Sequence, residues 1–136
     1  MDKTEILEVL DCFPYPRSDY WVIAGGAMVL YGIRERTHDI DLGCSTGMAD
    51  LLERDGFLDG YSPGGGRRFK YGESIEIFEN WLEDAVTYVE GFNAVTVKGL
   101  IKMKQGLGRE KDLRDLRLID EYLKKTQTPV GGSDED

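Results

Sequence analysis

A chain of 136 residues, 40% apolar and 32% charged, has the length of one domain with a single core. Its net charge of −9 argues against broad electrostatic binding to long nucleic acid, and no apolar run is long enough to span a membrane. The acidic, amphipathic start MDKTEILEVL is unlike a signal peptide, and Cys12 and Cys44 show no metal-ligand spacing, so a reduced, cytoplasmic chain is expected.

Ile6, Leu7, Val9 and Leu10 give residues 3–11 the periodicity of an amphipathic helix, which Pro14 and Pro16 end. Tyr20 to Ala24 reads as a buried strand, and Met28, Val29, Leu30 and Ile33 as the apolar face of the helix after it. A second strand is expected over Ile40–Gly43. Thr46 is placed to cap a helix over Met48–Asp55, with Gly56 at its end.

Phe57 to Gly66 is read as a glycine-rich connection, with Gly64-Gly65-Gly66 a flexible turn or a loop that closes on substrate. Arg67–Tyr71 and Ser74–Phe78 read as a hairpin, and Val86–Val89 as a short strand leading to an approach segment over Phe92–Val95. Thr96 caps a helix to about Leu107, which Gly106 and Gly108 break. A final helix covers about Glu110–Lys125, and residues 127–136 have the composition of a disordered tail. The chain is therefore expected to be one α/β domain over 1–126: a small mixed sheet flanked by helices, with a C-terminal helical pair.

The stretch from Ile23 to Gly43, IAGGAMVLYGIRERTHDIDLG, carries the chemistry. Gly25-Gly26 open a helix straight after a strand, where bare N–H groups and the positive end of the helix dipole suit phosphate. A helix and a turn later come Asp39 and Asp41, two apart and so on one face of a strand, with Ile40 and Leu42 on the other. Paired carboxylates suit a hard divalent metal. A phosphate cradle beside a metal site is the equipment of phosphoryl or nucleotidyl transfer. The plainer alternative for the glycines is a tight strand-to-helix turn without a ligand.

A third carboxylate is sought in an apolar-acid-apolar context, which Ile75-Glu76-Ile77 supplies; Glu73 and Glu79 are the alternatives. Lys98, Lys102, Lys104, Arg109, Lys111, Arg114 and Arg117 concentrate the basic residues in one segment. They read either as a phosphate-binding wall or as a solvated, ion-paired helix. His38 is read as structural or as support for the site, since strand alternation turns it away from Asp39.

Ala24-Gly25-Gly26, the spacer, and Asp39-Ile40-Asp41 together resemble the signature of the nucleotidyltransferase superfamily related to DNA polymerase beta. The likeness covers about residues 20–123. Within the superfamily the chain is most similar to small single-domain members, the AbiEii-type group and the antibiotic nucleotidyltransferases. The resemblance implies an enzyme that uses Mg2+ or Mn2+ to move a nucleotide monophosphate from an NTP to an acceptor hydroxyl on a small molecule, an RNA end or a protein.

Asp39, Asp41 and Glu76 are then the catalytic metal ligands, although glutamate stands where the family more often has aspartate. Gly25, Gly26, Arg36, Lys102 (or Lys98), Arg109 and Lys111 become the nucleotide-binding residues, with Asp112 a brace at a helix start. The chain is shorter than members with a full acceptor-binding helical domain, so a homodimer or a partner protein is expected to complete the acceptor site. The competing readings are a catalytically silent binding or regulatory protein of the same fold, and a toxin–antitoxin component.

Overall fold

In a computed structural model of the chain, the backbone is described for residues 1–134 and the side chains for residues 1–126. The disordered tail expected over 127–136 therefore falls on residues whose side chains lie outside the description.

The elements run α1 (Lys3–Asp11), β1 (Tyr20–Ile23), α2 (Ala24–Tyr31), β2 (Ile40–Cys44), α3 (Thr46–Arg54), β3 (Leu58–Tyr61), β4 (Arg67–Tyr71), β5 (Ile75–Glu79), β6 (Val86–Val89), β7 (Phe92–Val95), α4 (Val97–Leu107) and α5 (Glu110–Asp134). Local chemistry accounts for the helix starts. Asp2 and Glu5 form a reciprocal capping box on α1, Ser45 rather than Thr46 caps α3 through Met48 N–H, and Thr96 caps α4 through Gly99 N–H. Gly32 and Gly108 end α2 and α4 in the left-handed conformation that only glycine adopts without strain.

The strands form one mixed sheet in the order β3-β4-β5-β2-β1-β7-β6. β1 runs antiparallel to β2 and parallel to β7, and β2 runs parallel to β5. β3 corrects the sequence reading, which made residues 57–66 a connection. Leu58–Tyr61 instead pairs antiparallel with β4 across an irregularity at Gly60. Glycine-rich local chemistry hid a strand that exists through its partner's hydrogen bonds.

Alternation sorts the side chains. Ile40, Leu42, Ile75, Ile77, Val22 and Tyr20 are buried on one face. A Cβ on Gly26 would lie 3.2 Å from Val22 Cγ1 and 3.8 Å from Ile40 Cγ2, which puts α2 against that face. The α1 residues Ile6 and Leu10 and the α3 residues Met48, Ala49 and Leu52 complete the core. Asp41, Glu76 and Phe78 alternate onto the opposite face, where the α4–α5 hairpin approaches. Cys12 and Cys44 are both free. No helix among the described residues is long and apolar enough to cross a membrane.

Candidate active site

β1 ends at Ile23, directly opposite Asp41 of β2, and the chain turns at once into α2. Ala24 makes that turn at φ 55°, a left-handed conformation that costs a residue bearing a Cβ roughly 1 kcal/mol. Ile23 provides no side-chain cap, so the positive end of α2 opens uncapped beside the start of β2. Gly25 is required there: a Cβ would lie 2.6 Å from Thr37 Oγ1 and 3.4 Å from Arg34 Nη1. Gly26 has a different task. It is buried and seats α2 on the sheet.

Asp39 lies just before β2 and is exposed, while Asp41 is partly buried. Parallel pairing sets Asp41 opposite Glu76 on β5, with Ile40 opposite Ile75 and Leu42 opposite Ile77, so both acids leave the same face. Burial first, then the Glu76 and Asp39 carboxylates, push the Asp41 pKa up to about 6; Lys104 and Lys111 oppose the rise without cancelling it. Among the described residues no group of three or more His, Cys, Asp or Glu side chains is close enough to hold a metal ion as it stands. Asp41 has Glu76 and Asp39 as charged neighbours, but the three do not close into a cage.

Their chemistry nevertheless fits a hard divalent ion. All donors are carboxylate oxygens, and the negative charge around Asp41 is incompletely balanced by the neighbouring lysines. Magnesium in particular keeps several waters and phosphate oxygens in its shell and does not need an all-protein cage.

Facing Asp39 and Asp41 is a cleft of about 720 Å³, walled by the β1–α2 turn, the approach to β2, and α4 with α5; Glu76 stands beside Asp41 but does not line it. Ala24, Gly25, Asp39 and Asp41 line one side; Lys104, Arg109, Lys111 and Arg114 line the other. Lys111 and Arg109 are thus brought to the cleft. Arg109 is already engaged, its Nε 2.6 Å and Nη2 3.2 Å from the carboxylate of fully buried Asp112. That contact, more than any other, holds the Asp112 pKa down to about 2.

Three basic residues expected at the site lie elsewhere. Lys102 is exposed and pairs with Asp84 at 3.4 Å, away from the cleft. Arg36 is 66% exposed and lies 3.7 Å from Glu5. Lys98 is exposed and does not line the cleft.

The α4 lysine that reaches the cleft is Lys104, buried, 2.9 Å from Asp115 and 3.4 Å from Asp112. Arg34 also lines the cleft and approaches Asp115 at 3.7 Å. The sequence carried a signal for Lys104. Leu100 and Met103 mark the apolar stripe of α4, and Lys104 follows Leu100 by four residues, whereas Lys102 falls outside the stripe. His38 precedes the strand, so alternation does not govern its direction, and it lines the cleft beside Asp39.

No family model and no curated protein sequence matches the chain. Among solved structures, it is similar to a presumptive nucleotidyltransferase from Thermotoga maritima, with a TM-score of 0.61 at 18% identity. That likeness covers 92% of this chain and 96% of the other. At this identity it shows a common fold, the mixed sheet flanked by helices that is nucleotidyltransferase-like.

Proposed function

We propose that the protein is a metal-dependent nucleotidyltransferase that moves a nucleotide monophosphate from an NTP to an acceptor hydroxyl. The observation that carries this reading is that Asp39 and Asp41 line a cleft beside the uncapped start of α2, opposite Lys104 and Lys111, with Glu76 next to Asp41 across the β2–β5 pair. The nucleotidyltransferase-like fold, shared with the Thermotoga protein, supports it independently.

Asp39, Asp41 and Glu76 are the residues that would hold Mg2+ or Mn2+. When bound, such an ion neutralises phosphate charge and orients the reacting oxygens. Gly25 keeps the α2 N-terminus open to phosphate oxygens, and Lys104, Lys111 and Arg114 supply positive charge from the opposite wall. Asp112 and Asp115 fix Lys104, so its ammonium is positioned before substrate arrives. In the transfer, the acceptor oxygen bonds to the α-phosphorus. The bond to the bridging oxygen breaks, pyrophosphate leaves with that electron pair, and the hydroxyl proton passes to a carboxylate, with Glu76 the candidate.

A binding protein without turnover is favoured by one observation, the lack of a closed ligand cage among the described residues. Melting curves with ATP, GTP, CTP and UTP, each with and without magnesium, test the site. At least one NTP is expected to raise the melting temperature only with the metal. No shift with any nucleotide contradicts nucleotide recognition. A shift without pyrophosphate release in an acceptor screen favours the silent reading.

A further inference from the structure

A second cavity, of about 760 Å³, lies on the same sheet face as the acidic cluster. Phe78 and Trp81 form its aromatic wall, Leu107 its apolar rim, Arg68 and Asn80 its polar contacts, and the Gly64–Gly66 loop its edge. Two elements tie it to the active site. Phe78 follows Glu76 by two residues on β5, so the two side chains leave the same face about 7 Å apart. Leu107 follows Lys104 by three on α4, so one helix edge borders both cavities.

The aromatic wall is held in place. A Cβ on Gly43 would lie 2.1 Å from Trp21 Nε1 and 2.5 Å from the Trp81 carbonyl, so only glycine lets that indole donate to the carbonyl, at 2.8 Å. The Trp81 indole itself donates to Glu83 Oε2 at 3.0 Å, and its ring meets Phe78 edge-on with centroids 5.0 Å apart. An edge-on pair leaves ring faces for a third aromatic group.

Charge gives the cavity its sign. Glu79 also lines it, but Arg67 takes up that carboxylate with contacts of 2.9 and 3.0 Å. Arg68 is left as the cation of the lining. Its Nε is buried without a hydrogen-bond partner, and Nη2 has only distant oxygens of Asp59, at 3.5 and 3.6 Å. Bidentate capture of a carboxylate or phosphate is the unused capacity of such a guanidinium.

We propose that this cavity is the acceptor pocket, and that its occupant is a planar aromatic molecule bearing an anionic group and a hydroxyl. The ring stacks at Phe78 and Trp81, the anion pairs with Arg68, and the hydroxyl points along β5 towards Glu76. The acceptor role rests on the nucleotidyl-transfer reading, whereas binding needs neither nucleotide nor metal, so the two fail separately.

The test is calorimetric titration of 6-hydroxy-2-naphthoate and of 2-naphthol, the same ring and hydroxyl without the anion, into the full chain in nucleotide-free, metal-free buffer. The naphthoate is expected to bind about tenfold more tightly, the order of one charge-assisted hydrogen-bond pair. Arg68→Gln should erase that preference. Leu107→Glu, on the exposed rim, should weaken both ligands while the fold stays intact by circular dichroism. The indole N–H resonances of the two tryptophans, which report on this wall, should shift on binding. No binding, equal affinity for the two probes, or a preference that survives Arg68→Gln overturns the proposal.

Discussion

Asp41 and Glu76 stand opposite each other in the parallel β2–β5 pair, the one place where the sheet sets two carboxylates side by side on the face that α4 and α5 approach. Their proximity is unfavourable, and Lys104 and Lys111 offset it only in part.

Asp41 holds its proton more tightly in the folded chain, about 6 against an ordinary 3.8. The sign follows: its contribution is harmless below the ordinary value and becomes destabilising as pH rises from 3.8 through 6. Asp41→Asn should therefore stabilise the metal-free protein at neutral pH by about 1–2 kcal/mol, a figure reduced for partial solvent exposure. The gain should disappear near pH 4. Paired thermal melts across that range measure it, and equal stability of the two proteins at every pH contradicts the geometry.

Lys104 and Lys102 make the second contrast. Lys104→Met leaves buried Asp112 and Asp115 short of positive charge and should cost roughly 3 kcal/mol, as well as weakening NTP binding. Lys102→Ala removes an exposed pair with Asp84, should change stability by no more than about 0.5 kcal/mol, and should leave NTP affinity alone. Denaturant unfolding and nucleotide titration of both variants decide the assignment.

The glycine pair divides in the same way. Gly25→Ala drives a methyl to 2.6 Å from the Thr37 hydroxyl and should lower NTP affinity roughly tenfold, the order of one phosphate hydrogen bond. Gly26→Ala meets Val22 Cγ1 at 3.2 Å; helix propensity and crowding oppose each other, for a net stability change of about 1 kcal/mol or less. Its NTP affinity should be that of the wild type. Titration of NTP into each variant separates the two roles.

Arg67 governs the acid side of the stability profile. It pairs with Asp50, Glu53 and Glu79 at 2.9 Å and holds the Glu79 pKa down to about 2. A lowered carboxylate stabilises above its ordinary value of 4.5 and loses that contribution as pH falls towards 2. Arg67→Gln should cost roughly 3 kcal/mol at neutral pH, with the difference from wild type shrinking over that interval. Urea unfolding at a series of pH values reads it directly.

Most of the sheet was legible because period and punctuation agreed. The D-I-D alternation placed Ile40 and Leu42 in the core, and Ile75-Glu76-Ile77 turned out to be its register partner. What was not legible depended on tertiary pairing or helical phase. β3 is a strand only because β4 lies beside it. The basic segment of α4 is dense enough that composition alone does not choose among Lys98, Lys102 and Lys104; the phase of Leu100 and Met103 does. The second cavity combines Arg68 of β4, Leu107 of α4 and Trp81 of the connection after β5, and no local pattern joins them.

The most direct measurement is calorimetric titration of NTPs, with and without magnesium, into the wild-type protein and the Asp39→Asn, Asp41→Asn double variant. Metal-dependent binding to the wild type and its loss in a folded double variant are the expected results. Binding that persists undiminished in the double variant, or a folded wild type that binds no NTP, would contradict the proposed function.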